Sequence, residues 1–276
     1  MKTPILQYTF WAYAITWALT LGFYALYKSG ILSFAQLNVL YVFGSLGPFI
    51  SAWYCTRKYY GSSGVQKLRE KFALAYFNPT GFLLSISPLL FLLIGYLLYP
   101  VLTGQVFTFQ ITIDQFGLHS SADYIAWLLP FFAYAIFEEV GWRGFLLPHL
   151  QEKYSAFAAT GILTFIWALW HLPFFLFRFQ FTPFILVGFF IGMFVGAIIL
   201  TAIYNTMNGG LLGVILFHLT NNIASAFDKN IIVAVVSTGF LLFALLILLI
   251  WKPRHLARSE KIGNYFIANE KSVSAL

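Results

Sequence analysis

Two adjacent carboxylates, Glu138 and Glu139, with a guanidinium four residues on at Arg143, stand in a stretch that otherwise reads as one apolar helix. An unpartnered charge at the centre of a membrane helix costs about 2.5–3.5 kcal/mol, a large fraction of a total stability of ~5–15 kcal/mol. Such a pair needs a reason. The four-residue spacing brings Glu139 and Arg143 onto one helix face, where they can pair, and a step of about 100° turns Glu138 away from that partner. Glu138 is then the carboxylate left to face a hydrated cavity, where it can serve as a general base. Two of the five histidines, His171 and His218, also fall inside apolar segments, and Asn222 follows His218 by four residues. An imidazole and a carboxamide therefore share a helix face. His119, His149 and His255 fall at loops or segment ends and carry no assigned role. The economical reading is one cluster of acid, base and amide, reached from the cytoplasm.

The elements that position these groups must live in lipid. Of 276 residues, 60% are hydrophobic and 9% charged, against ~25% charged in soluble chains. At ~20 residues per span, the runs between charges give eight candidate helices: Tyr8–Tyr27, Leu37–Cys55, Phe82–Val101, Tyr124–His149, Ala156–Leu176, Pro183–Tyr204, Gly210–Phe227 and Ile231–Trp251. The expected fold is all-α, a polytopic membrane protein of about eight transmembrane helices around a polar intramembrane cavity. Pro130 is expected to kink the fourth helix, and Asn205, Asn208, Gly209 and Gly210 to turn the chain between the sixth and seventh. Gly188, Gly192 and Gly196 form a small-residue face read as helix packing. No internal repeat is visible, which weakens a transporter built on inverted repeats.

Counted on alternate sides of eight spans, 13 of the 16 Lys and Arg residues fall on one side, leaving only Lys28, Arg178 and Lys229 on the other. That bias puts both termini and the Arg57–Lys71 loop in the cytoplasm. In this setting the net charge of +7 reports orientation rather than nucleic-acid affinity, and no nucleic-acid partner is expected. The 20% aromatic content suits lipid contact and interfacial belts. A single cysteine, Cys55, excludes an internal disulfide and a Cys-rich metal site.

Three patterns in order resemble the CAAX prenyl endopeptidase and bacteriocin-processing (CPBP, or ABI) family of intramembrane proteases. EExxxR matches Glu138, Glu139 and Arg143; FxxxH corresponds to Trp167 through His171, with Trp in place of Phe; HxxxN matches His218 and Asn222. The Gly47-Pro48 step is also similar to a family feature. The resemblance implies that Glu138 and His171 activate water and that His218 and Asn222 act at the developing oxyanion. Peptide hydrolysis asks for those parts: a base for water, donors for the tetrahedral oxyanion and an acid for the leaving amine. Glu139 with Arg143 would hold the base in position, and Trp167 would line the site. No Ser or Cys stands recognisably beside these histidines in sequence, so a covalent nucleophile is less favoured. No cofactor is favoured. Zinc stays open as the alternative, held by Glu138, His171 and His218, although the helical HExxH spacing is absent.

The function expected is that of an intramembrane endopeptidase acting on a membrane-associated or lipid-anchored protein, with membrane lipid as its other partner. A proton-coupled transporter using the same groups as a relay, and an inactive membrane scaffold, are the alternatives. Residues 1–253 read as a single transmembrane helical domain with the protease core at about 47–227, and residues 254–276 as a polar, loosely ordered cytoplasmic tail. The expected location is a bacterial plasma membrane.

Overall fold

Backbone N–H and C=O groups inside a bilayer must pair within the protein, and helices do this segment by segment. A computed structural model describes residues 3–179, 182–227 and 231–267, and no strand occurs among them. Twelve α-helices follow in order: α1 Thr3–Lys28, α2 Phe34–Leu40, α3 Leu46–Glu70, α4 Pro79–Ser85, α5 Ser87–Thr103, α6 Phe109–Phe116, α7 Ser121–Gly141, α8 Leu147–Gln151, α9 Ala156–Trp170, α10 Pro183–Thr206, α11 Leu211–Ala224 and α12 Ile231–Ile250. Short 3-10 segments lie at Tyr41–Ser45, Leu74–Tyr76 and Leu172–Leu176, and a π turn joins α7 to α8 at Trp142–Leu146. Lys2, Lys229 and Lys271 of the charge count, and the tail after residue 267, lie outside the described residues.

The molecule is an all-α polytopic membrane protein. Among the described helices five are long and apolar enough to cross a bilayer, and six if α4 and α5, bent by 45°, are taken as one span. The expected fifth and seventh spans are the shorter apolar helices α9 and α11. α9 stops at Trp170 because Pro173 disfavours helix at the residue before it, and the chain continues as the 3-10 segment Leu172–Leu176. Broken helix of this kind is tolerated at membrane depth where protein covers it, and Pro173, Phe174 and Phe175 are buried.

α7 is the central element, in contact with α3 on one side and α11 on the other. Its start is fixed by a capping box in which Ser120 Oγ accepts from Asp123 N at 3.3 Å and Asp123 Oδ2 accepts from Ser120 N at 2.7 Å. Pro130 lies inside α7, and the break from α geometry comes later, at the π turn. Contact between α1, α3 and α7 depends on two glycines. A Cβ on Gly47 would sit 2.1 Å from Thr16 Oγ1 and 2.5 Å from Ala12 O, and one on Gly141 would sit 2.5 Å from Pro48 Cβ and 2.8 Å from Pro48 O. The Gly47-Pro48 step is thus wedged between α1 and the end of α7, three residues past Glu138.

Three expectations change. The Arg57–Lys71 segment is not a loop: α3 runs through it to Glu70, interrupted at Gly61, whose φ is 66°. The Gly188, Gly192 and Gly196 face meets no neighbouring helix among the described residues, with no atom within 4 Å of a Cβ placed at any of the three. The stretch after α12 is docked rather than loose. Leu256, Ala257 and Phe266 are buried, and backbone N–H groups of Ala156 and Phe157 donate to the carbonyls of Arg254 and Pro253.

Candidate active site

The polar cluster is built where α7 ends. Glu138 and Glu139 occupy its last α-helical turn, and both are buried, at 1% and 0% exposure. The π turn that follows adds one residue per turn, a device that often marks functional positions, and it holds Trp142 and Arg143, also fully buried.

The two carboxylates are separated as the helical spacing requires. Glu139 Oε1 accepts from Arg143 Nη1 at 2.9 Å, the expected i to i+4 ion pair, and lies 2.7 Å from His218 Nδ1 on α11. Burying such a group without partners would be costly, and two partners on one oxygen offset that cost. Glu138 takes different partners. Its Oε2 accepts from Trp142 Nε1 at 3.0 Å, one turn along, and from Trp167 Nε1 on α9. Its Oε1 takes no hydrogen bond from a described side chain, so the carboxylate is held by one oxygen and open at the other.

Trp167 is the hub. Besides holding Glu138, its ring carries the Arg143 guanidinium at 4.5 Å from the centroid, a cation–π contact, while Arg143 Nε and Nη2 take no hydrogen-bond partner among the described residues. The His171 and His218 rings each lie 5.9 Å from the Trp167 ring. The aromatic departure from the FxxxH pattern thus has a consequence that a phenyl ring cannot reproduce, because phenylalanine has no N–H to donate.

Both histidines spend Nδ1 on the scaffold. His171 Nδ1 is 2.8 Å from the Trp167 carbonyl, one of the carbonyls that a helix C-terminus leaves orphaned. His171 stands at the C-cap of α9 rather than in mid-span. A carbonyl can only accept, so Nδ1 carries the proton and Nε2 of neutral His171 is a lone-pair nitrogen. The same reasoning applies to His218, whose Nδ1 faces a carboxylate. Its Nε2 can therefore donate only when the ring is an imidazolium.

Asn222 is the sequence-expected member least drawn in. Its Nδ2 donates to Phe131 O at 3.4 Å, two turns of α7 before Glu138. Zinc fits the residues poorly as they stand. No three of His, Cys, Asp and Glu among the described residues gather as a metal-holding group, and Glu138 commits one oxygen to two indole donors. Two further side chains contribute to the site. Trp142 was legible, since four residues separate it from Glu138 on one face; Tyr8, whose ring lies 5.7 Å from Trp142 and 5.0 Å from Phe145, had no sequence signal, being far away in the chain.

A family model described as type II CAAX prenyl endopeptidase Rce1-like matches residues 120–224, the stretch from the cap of α7 to the end of α11. CAAX prenyl protease 2 of Methanococcus maripaludis is 33% identical over 133 residues, which cover 47% of this chain and 48% of that protein. The match thus spans about half the length of the curated relative. The family-matched segment, α7 through α11, carries the polar cluster, and that segment is similar to CAAX proteases.

Proposed function

We propose that the protein is an intramembrane endopeptidase that hydrolyses a peptide bond near the end of a membrane-associated or lipid-anchored protein. The observation that carries the reading is the half-held carboxylate of Glu138, anchored by two indole N–H groups through Oε2 and free at Oε1. In the proposed mechanism Glu138 Oε1 takes a proton from water while the lone pair of His171 Nε2 orients the same water. The oxygen then attacks the scissile carbonyl. His218, as an imidazolium, donates from Nε2 to the oxyanion, a contact worth about 3–4 kcal/mol of transition-state stabilisation. Asn222 supplies a second donor once its carboxamide turns from Phe131 O, a long bond that is inexpensive to give up. Protonated Glu138 then passes its proton to the leaving amine.

The name of the relative, CAAX prenyl protease 2, supports a prenylated C-terminus as the first substrate class to try. Both termini are placed in the cytoplasm on the basic-residue bias. The test is to incubate purified wild type and Glu138→Gln with membrane-anchored peptides and read new termini by mass spectrometry. A specific terminus made by wild type and not by the variant is expected; equal turnover by both would remove Glu138 as the base. The same assay before and after chelation, with elemental analysis, addresses zinc. We propose a metal-independent reaction, and stoichiometric zinc whose removal and return abolish and restore cleavage would overturn that.

A further inference from the structure

Residue 148 is a proline and has no N–H. The carbonyl of Gly144, four residues earlier, therefore lacks the i+4 donor that α geometry would supply, inside the π turn that carries Arg143. A buried carbonyl needs a partner, and this one is found 121 residues away, where the Tyr265 hydroxyl donates to Gly144 O at 2.7 Å.

Tyr265 reaches that carbonyl because the chain after α12 folds back over one end of the bundle. The carbonyls of Pro253 and Arg254 accept from Phe157 N at 3.0 Å and Ala156 N at 2.9 Å, donors that the first turn of α9 would otherwise leave unpaired. Asn205, at the end of α10, holds the segment at two points, donating to His255 O at 2.7 Å and accepting from Ile262 N at 3.1 Å. The neighbouring Phe266 is buried and stacks on Tyr60 of α3 at 4.7 Å. One segment thus secures the start of α9, which carries Trp167 and His171, and the π turn, which carries Arg143.

We propose that residues 252–267 act as a clamp on the active-site geometry, with the Tyr265 hydroxyl as a positioning group for the π turn. The proposal rests on the endopeptidase reading above. Tyr265 acts through the Gly144 carbonyl, and among the described residues it makes no hydrogen bond to Glu138 or Arg143. The clamp is built from residues beyond the family-matched segment, which ends at 224.

The test uses the full chain in detergent. Tyr265→Phe removes only the hydroxyl and is expected to lower kcat by about tenfold or more, the scale of a small misplacement of catalytic groups. KM should stay close to wild type, and the unfolding temperature should fall modestly, because the Gly144 carbonyl loses its partner. Amide exchange across residues 141–151 should quicken. Adding Pro148→Ala to Tyr265→Phe returns an N–H at 148 and should restore most of the lost kcat, a rescue that general destabilisation would not show. Wild-type kcat in Tyr265→Phe, a loss confined to KM, or a loss that Pro148→Ala does not repair would each overturn the clamp. If wild type cleaves no peptide, the endopeptidase reading fails instead, and unchanged exchange across 141–151 in Tyr265→Phe would independently overturn the clamp.

Discussion

Neighbouring glutamates with different partners should fail differently when neutralised. Glu138→Gln keeps an acceptor for both indoles and loses only the charge, so thermal unfolding in detergent should be nearly unchanged while cleavage is abolished. Glu139→Gln leaves the buried Arg143 guanidinium without its ion pair, and removing one partner of such a pair costs about 3–5 kcal/mol. A large drop in unfolding temperature is expected there and not at Glu138. Trp167→Phe separates the two roles of that ring. The phenyl face still receives the guanidinium, but the N–H to Glu138 is gone, and a hydrogen bond to a charged group is worth about 1.5–3 kcal/mol. The expected result is a fall in kcat/KM of roughly tenfold or more with residual activity, measured on the best peptide from the screen. Unaltered turnover would mean that Trp142 alone suffices to hold Oε2.

At the scale of helices, the end of α7 works as a packed joint. Gly141 admits Pro48 of α3 and the Tyr8 hydroxyl, each within 2.5 Å of where its Cβ would be, and the Pro48 carbonyl at 2.8 Å is backbone that cannot swing aside. Gly141→Ala must therefore push α7 away from α3, at about 1–3 kcal/mol for overpacking. It should lower both unfolding temperature and cleavage, since Glu138 is three residues away. Gly188→Ala, on the face with nothing within 4 Å, should leave both unchanged. The comparison, made by thermal unfolding and peptide turnover of the two alanine variants, separates a glycine required by close approach from one that the fold does not use.

For the whole molecule, the docked end of the bundle carries a titratable group of its own. Lys71 is buried, with its ammonium 4.4 Å from the Tyr76 ring and 4.6 Å from the Tyr265 ring, and burial lowers its pKa from the ordinary lysine value of 10.5 to about 8. Between those values the unfolded chain holds a proton that the folded chain has released, so stability rises with pH. Unfolding temperature should therefore increase from about pH 8 to about pH 10, and Lys71→Met should flatten the rise. Orientation is tested separately. In a Cys55→Ala background, single cysteines placed between Arg57 and Lys71 should resist an impermeant thiol reagent added outside intact cells, while those between Gly104 and His119 react. Equal labelling would refute the proposed orientation.

The sequence alone determined what depends on short range and on the solvent. A chain with 9% charge has to fold as helices in lipid, because backbone groups there find partners only within the protein. The Glu139–Arg143 pair follows from the rise and rotation of a single helix, which do not depend on what surrounds it. The identities of Glu138, His171 and His218 as out-of-place polar residues were legible for the same reason: lipid penalises them wherever they point. Tertiary structure decided the rest. That Trp167 joins Trp142 on one oxygen of Glu138, that His218 spends Nδ1 on Glu139, and that Asn222 rests on Phe131 each depend on how separate helices meet. That the polar stretch after α12 docks instead of trailing depends on donors and acceptors at the helix ends, Ala156, Asn205 and Gly144, which a hydropathy pattern does not register. Such contacts join residues tens to hundreds of positions apart, and their geometry exists only once the helices have packed.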